Sequence, residues 1–225
     1  MPLSIWDGME DCLRVITGAR PRAVLDVGIG FGLWGHLLRQ YLDVWSGHIQ
    51  RAEWTTRIDG IEIDERRIQP HARHLYTSLH VGDMRALVPA LAAATAYDVI
   101  LFGDVLEHVD KPDALAVLDA AARLARDIVV VRIPMGDGWR REGREPPDHH
   151  RSQWTPDDFV PYRATIRLYD FIGNPYALVV IAAGGSAGAA HRADAAAQLA
   201  GIEQKLERIE ARLVALLAPD KEDAS

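Results

Sequence analysis

Two hydrophobic patterns alternate along this chain. In the first, apolar residues run together for a few positions and stop at Gly, Asp or Pro: "AVLDVG", "RIDGIEID", "SLHVGD", "YDVILFGD" and "DIVVVRIP". A strand covered on both faces has no polar side, so these runs predict parallel strands, "AVLDVG" a buried one and "SLHVGD" the weakest of the five. In the second, apolar residues recur every third or fourth position, which predicts helices. Residues 4–18 place Ile5, Met9, Leu13 and Ile16 near one face. A second helix runs from about Leu33 to Tyr41, and a third covers 112–126, with Pro112 in its first turn and Leu115, Leu118 and Ala122 facing inward. Strands alternating with helices demand right-handed crossovers and a sheet covered on both sides.

Beyond Pro134 the pattern changes. A polar, Arg- and Pro-rich loop leads to "WTPDDF", a helix start with Thr155 as N-cap, Pro156 at the first position and acids in the first turn. Then come "ATIRLYDFIG" and "YALVVIAAG", linked only by a turn around Gly173–Asn174–Pro175, which predicts an antiparallel pair. The expected fold is α/β: a doubly wound, mostly parallel seven-stranded sheet with an antiparallel last strand, plus a C-terminal helix. Residues 1–185 form the main domain. Residues 186–197 are an Ala/Gly-rich linker. In 198–218, Leu199, Ile202, Leu206, Ile209, Leu213 and Leu216 recur at alternating spacings of three and four, an a/d seam that predicts a coiled-coil helix and a homo-oligomer through 199–216.

Composition narrows the classes. The 225 residues are 48% hydrophobic and 25% charged, ordinary for a globular domain, and the net charge of −7 argues against a chain built to coat nucleic acid. Cys12 is the only cysteine, so neither a disulfide framework nor a cysteine zinc site forms within one chain. No apolar run approaches the ~20 residues of a membrane span. The N-terminus has acids where a signal peptide needs a basic stretch, so a cytoplasmic location is expected.

The chemistry starts at "DVGIGFGLWG", Asp26 to Gly35. Gly30, Gly32 and Gly35 fit the G-x-G-x-x-G of a nicotinamide-binding turn, whereas Gly28, Gly30 and Gly32 fit G-x-G-x-G with an acid two residues ahead. A nicotinamide site usually lacks that acid and places its ribose-binding acid ~20 residues later. Here the next strand-end acid, Glu62, lies well beyond that interval. "VGD" after the third strand supplies Asp83, and "GDVLEHV" follows the fourth. Four such motifs in this order resemble the class I S-adenosylmethionine (SAM)-dependent methyltransferases over about residues 20–185. The similarity is greatest to the branch with an E-H-V motif, which includes ubiquinone-type and sugar or natural-product O-methyltransferases.

That resemblance implies a SAM site. Backbone N–H groups at Gly28, Gly30 and Gly32 would approach the cofactor, Asp26 would help fix its amino acid moiety, and Glu62 would accept the ribose hydroxyls. Asp83 would accept the adenine amino hydrogens, with the Met84 N–H reading a ring nitrogen, and Asp104 would complete the site. Read without the resemblance, Asp83 is a helix N-cap, and Asp64 caps the helix after Glu62. The proton-accepting candidates are His108 in the E-H-V segment and His149 and His150 in "PPDHHRSQW", each with the alternative of a structural hydrogen bond. Asp104, Glu107 and His108 could also hold Mg2+, as a similar E-x-x-E-H set does in ubiquinone-type and small-RNA 3′-terminal relatives, the latter adding a distant histidine that His149 or His150 could match. Many metal-free relatives keep the same segment.

The expected activity is methyl transfer from SAM to a small-molecule acceptor, foremost a sugar or natural-product hydroxyl. Arg140, Arg141, Arg144 and Arg151 on the long loop could hold a phosphate or carboxylate, or form a solvated lid. An amino-sugar nitrogen is the alternative acceptor, and a non-catalytic SAM-fold subunit recruited through its C-terminal helix is the alternative function. Trp45 and Trp54 stand in a polar insertion, where capping the cofactor, contacting a second subunit and covering the sheet edge all remain open.

Overall fold

The computed structural model describes residues 5–139, 149–162 and 164–183. The five apolar runs are the parallel strands β1 (Ala23–Val27), β2 (Arg57–Glu62), β3 (Ser78–Val81), β4 (Val99–Gly103) and β5 (Ile128–Pro134). With β6 (Ala164–Phe171) and β7 (Asn174–Ala182) they make one seven-stranded sheet in the order β3-β2-β1-β4-β5-β7-β6, and β7 is antiparallel to both its neighbours.

Alternate strand positions serve two cores. Val24, Val99, Leu101 and Val130 point to the face covered by α1 (Met9–Ala19), α2 (Leu33–Leu42) and α3 (Pro70–Leu75), where they meet Cys12, Ile16, Leu38 and Ala72. Leu25, Val27, Ile100, Phe102 and Val129 point to the face of α4 (Met84–Ala94) and α5 (Lys111–Leu124), against Val88, Val117 and Leu118. This two-sided burial is why β1, β4 and β5 read as apolar runs, whereas β3, at the sheet edge, has no buried residue. The winding direction reverses between β1 and β4, leaving a crevice at their carboxyl ends where ligands bind in such sheets.

Three elements differ from expectation. Helix α1 begins at Met9 rather than at residue 4, because Gly8 takes φ +70° and the carbonyls of Ile5 and Asp7 are held by the guanidinium of Arg132 at 2.6 and 2.7 Å. The inward face of α5 is Ala114, Val117, Leu118 and Ala121, with Leu115 and Ala122 half-buried on its flanks. The hairpin turn is the pair Ile172–Gly173, both at positive φ (53° and 78°), with Phe171 paired to Asn174. Two positive-φ residues match the twist of a tight hairpin, so Asn174 and Pro175 belong to β7.

The insertion after α2 is built on a buried ion pair. Arg39 meets Asp43 at 2.6 Å and donates to the carbonyls of Thr56 and Leu75, while the other Asp43 oxygen accepts from the N–H groups of Thr55 and Thr56. Trp54 lies over the Arg39 guanidinium, 4.2 Å from Cζ to the ring centroid. Trp45 is 77% exposed and stacks on Tyr41. Arg140, Arg141, Arg144, the linker 186–197 and the helix 198–218 lie outside the described residues.

Candidate functional site

The turn after β1 shows which glycine register is used. Gly28, Gly30 and Gly32 all have positive φ (78°, 51° and 90°), and a Cβ on Gly28 would run into Val105. Gly35 instead lies inside α2, pressed against Tyr76, whose hydroxyl accepts its N–H at 2.9 Å. The same Tyr76 hydroxyl donates to Asp26 at 2.5 Å. Asp26 is fully buried behind the turn, and its Oδ1 has no hydrogen-bond partner among the described residues. Burial pushes its carboxyl up to about 7, opposed by the Tyr76 hydrogen bond and helped by the nearby charge of Glu62.

A cavity of about 90 Å3 opens at the carboxyl ends of β1 to β4. Gly28, Gly30, Glu62, Asp83, Met84, Asp104 and His108 all line it, so residues from four separate loops converge. Neither Trp45 nor Trp54 does. Glu62 is 3% exposed; its carboxylate accepts the Gly30 N–H at 2.9 Å and the Asp64 N–H at 3.2 Å, tying the glycine turn to the end of β2. Asp64 caps the turn that follows, accepting from the Arg66 N–H. Asp83 caps α4, accepting from the Arg85 N–H at 2.8 Å, and the Arg85 guanidinium grips both its oxygens, which holds its carboxyl below the usual range. The N-cap reading of Asp83 is therefore realised, with the same carboxylate on the cavity wall. Asp104 adopts φ +56° and takes a 2.5 Å hydrogen bond from the Tyr176 hydroxyl on β7.

Both tyrosines went unread in the sequence. They lie 50 and 72 residues from the acids they hold, and no local spacing announces such pairings.

The turn Leu106–His108 after β4 carries the second half of the site. His108 Nδ1 lies 3.2 Å from the His149 carbonyl, an oxygen that can only accept, so Nδ1 carries the proton in this bond and Nε2 is the nitrogen through which the neutral ring would accept one. The His108 and His150 rings meet edge to face at 5.2 Å. His149 contributes its carbonyl, and its own Nε2 is buried with no hydrogen-bond partner among the described residues. Glu107 is 2% exposed; burial, and then the charge of Asp104, drive its carboxyl well above the usual range. A second cavity, of about 70 Å3, is lined by Glu107, Trp139, His150, Arg151 and Ser152, among others.

Among the described residues, the group whose ligand atoms come within 4.8 Å of one another is Glu107, His108 and His150. Asp104, expected in that set, is turned to Tyr176 instead. Two imidazoles and one carboxylate suit a transition ion better than Mg2+, which prefers oxygen.

The sequence matches no protein-family model and no curated protein. The fold has clear counterparts. An O-methyltransferase family protein from Burkholderia thailandensis superimposes with a TM-score of 0.54 at 14% identity over 79% of this chain; the match spans 55% of that protein, just over half its length. The O-methyltransferase TomG from Streptomyces achromogenes, involved in tomaymycin synthesis and solved in complex with SAM, gives 0.54 at 17% identity over 81% of this chain and 82% of its own. Magnesium protoporphyrin IX methyltransferase from Synechocystis PCC 6803, solved with bound SAH, gives 0.51 at 16% identity over 76% and 80%. This chain has the fold of the class I SAM-dependent methyltransferases.

Proposed function

We propose that this protein is a SAM-dependent methyltransferase acting on the hydroxyl of a small sugar or natural product. The observation that carries the reading is the convergence of the glycine turn, Glu62, Asp83, Met84 and Asp104 on one cavity at the sheet's topological switch point. The solved relatives with SAM or SAH support the same cofactor. In this reading Glu62 accepts the ribose hydroxyls and Asp83 with the Met84 N–H reads the adenine. Asp26 supplies negative charge behind the cofactor's ammonium.

Methyl transfer is an in-line displacement. The acceptor oxygen attacks the methyl carbon, the carbon–sulfur bond breaks, and its electron pair stays on sulfur as a neutral thioether. Most of the acceleration comes from holding donor and acceptor in line in a dry pocket. A hydroxyl must also lose its proton, and His108 is the proposed base: it lines the cofactor cavity, and the His149 carbonyl fixes the tautomer that can accept. His150 packs against it. No metal is required by this chemistry, and the Glu107, His108 and His150 group is read as acceptor machinery.

Calorimetric titration tests the reading. SAM and SAH should bind while NAD should not, and Glu62→Ala should weaken SAH by about 1–3 kcal/mol, the cost of leaving polar partners unpaired. Equal SAH affinity in wild type and variant would refute the assignment.

A further inference from the structure

The turn Leu106–His108 contributes a residue to each of the two cavities. Consecutive residues on one turn face them, His108 the cofactor cavity and Glu107 the smaller space beyond. We propose that this smaller cavity is the acceptor subsite and that Glu107 is the residue that grips a neutral, hydroxyl-bearing ring within it. The proposal rests on the methyltransferase reading and names what that reading leaves open.

Glu107 has an unmet demand. Its backbone carbonyl accepts two N–H groups, from Arg151 at 2.7 Å and Ser152 at 3.1 Å, which pins the loop after β5 to the turn after β4. Its side chain is buried, yet Oε2 has no hydrogen-bond partner among the described residues. A buried polar atom without a partner is costly, so a ligand in the cavity that Glu107 lines would relieve that cost by bringing a hydrogen bond.

The charges in the cavity choose which ligand. Arg151 lines it, but its guanidinium is held by both oxygens of Asp110, at 3.1 and 2.7 Å. Glu107 brings no cation to meet a phosphate or carboxylate. A carboxyl oxygen accepts a hydrogen bond in either protonation state, so the unpartnered Oε2 suits a ligand hydroxyl. Trp139, in the same lining, is held in place. It is 6% exposed, its Nε1 donates to the Pro175 carbonyl at 2.7 Å, and its ring stacks on Phe171. A carboxyl, an indole and Ser152 in one lining suit a hydroxylated ring.

Ligand-observed NMR on the SAH-loaded full chain tests this, with methyl α-D-glucopyranoside as the neutral probe and glucose 6-phosphate as the anionic one. Saturation transfer is expected to the neutral probe and at least tenfold less to the phosphate. Glu107→Gln should reduce the neutral signal at least fivefold, and Trp139→Phe should reduce it too, while calorimetry shows SAH affinity unchanged in both. A stronger signal from the phosphate, no signal from the neutral probe, or a signal indifferent to both variants overturns the proposal even where SAH binds normally. A wild type that fails to bind SAH overturns the methyltransferase reading with it.

Discussion

At the scale of single residues, the cofactor site depends on acids kept where water cannot reach them. Asp26 has its folded-state pKa raised to about 7 by burial, above the ordinary aspartate value. The raised value fixes a sign. The folded chain holds this proton more tightly than the unfolded chain, so the contribution is full below the unfolded pKa near 4 and is lost as pH rises through about 7. Ligand-free protein should therefore lose stability between about pH 4 and 7, by a few kcal/mol at most at ~1.4 kcal/mol per unit. Asp26→Asn keeps an oxygen for Tyr76 and should flatten that loss. An ammonium beside Asp26 favours the ionised form, so the rise in melting temperature given by SAM should grow with pH over the same window in wild type and not in Asp26→Asn. Thermal melts across pH, with and without SAM, measure both effects.

At the scale of elements, the strands were legible because two-sided burial leaves a continuous apolar trace that no helix of that length produces. The glycine register was legible too: only positions 28, 30 and 32 carry the positive φ that the turn needs, and Gly35 is small for a different reason, the Tyr76 ring. What could not be read were contacts closed by distant tyrosines, and the unpartnered Glu107 oxygen, since a buried carboxyl and an exposed one are spelled alike. The insertion hid its logic in the same way. "DVWSGHIQRAEWTTR" advertises two tryptophans, while the element is organised by Arg39 and Asp43. Their side chains are 3% and 0% exposed, and each is fully engaged. Removing one partner strands the other charge, so Asp43→Ala should cost about 3–5 kcal/mol of unfolding free energy. Urea denaturation checks it, and a loss below ~1 kcal/mol would show that the pair is dispensable.

At the scale of the whole molecule, we propose that the chain self-associates. The seam from Leu199 to Leu216 is too short to hold a stable pair of helices alone, so a second contact is needed. Trp45 (77% exposed) and Ile49 (66%) on the insertion, with Tyr41 (42%) near the end of α2, offer apolar surface. A dimer is expected by light scattering for the full chain, and a monomer for a chain ending at Gly185. A monomeric full-length chain at micromolar concentration would instead make the seam a packing or docking surface within one molecule.

The sheet order also dictates when a growing chain can finish itself. Strand β7 is the last of the seven to leave the ribosome, yet its place is between β5 and β6. Until it arrives, β6 has nothing to pair with, and Ile128–Ile133 presents an apolar edge open to any passing strand. At ~5–20 residues per second, translating the stretch from Met135 to Ala182 keeps that edge bare for a few seconds. The crevice holding the glycine turn, Glu62 and Asp83 is complete on the nascent chain before then. Tyr176 reaches Asp104, and the Pro175 carbonyl reaches Trp139, only when the final strand slides home. The two halves of the pocket thus differ in age within every molecule made.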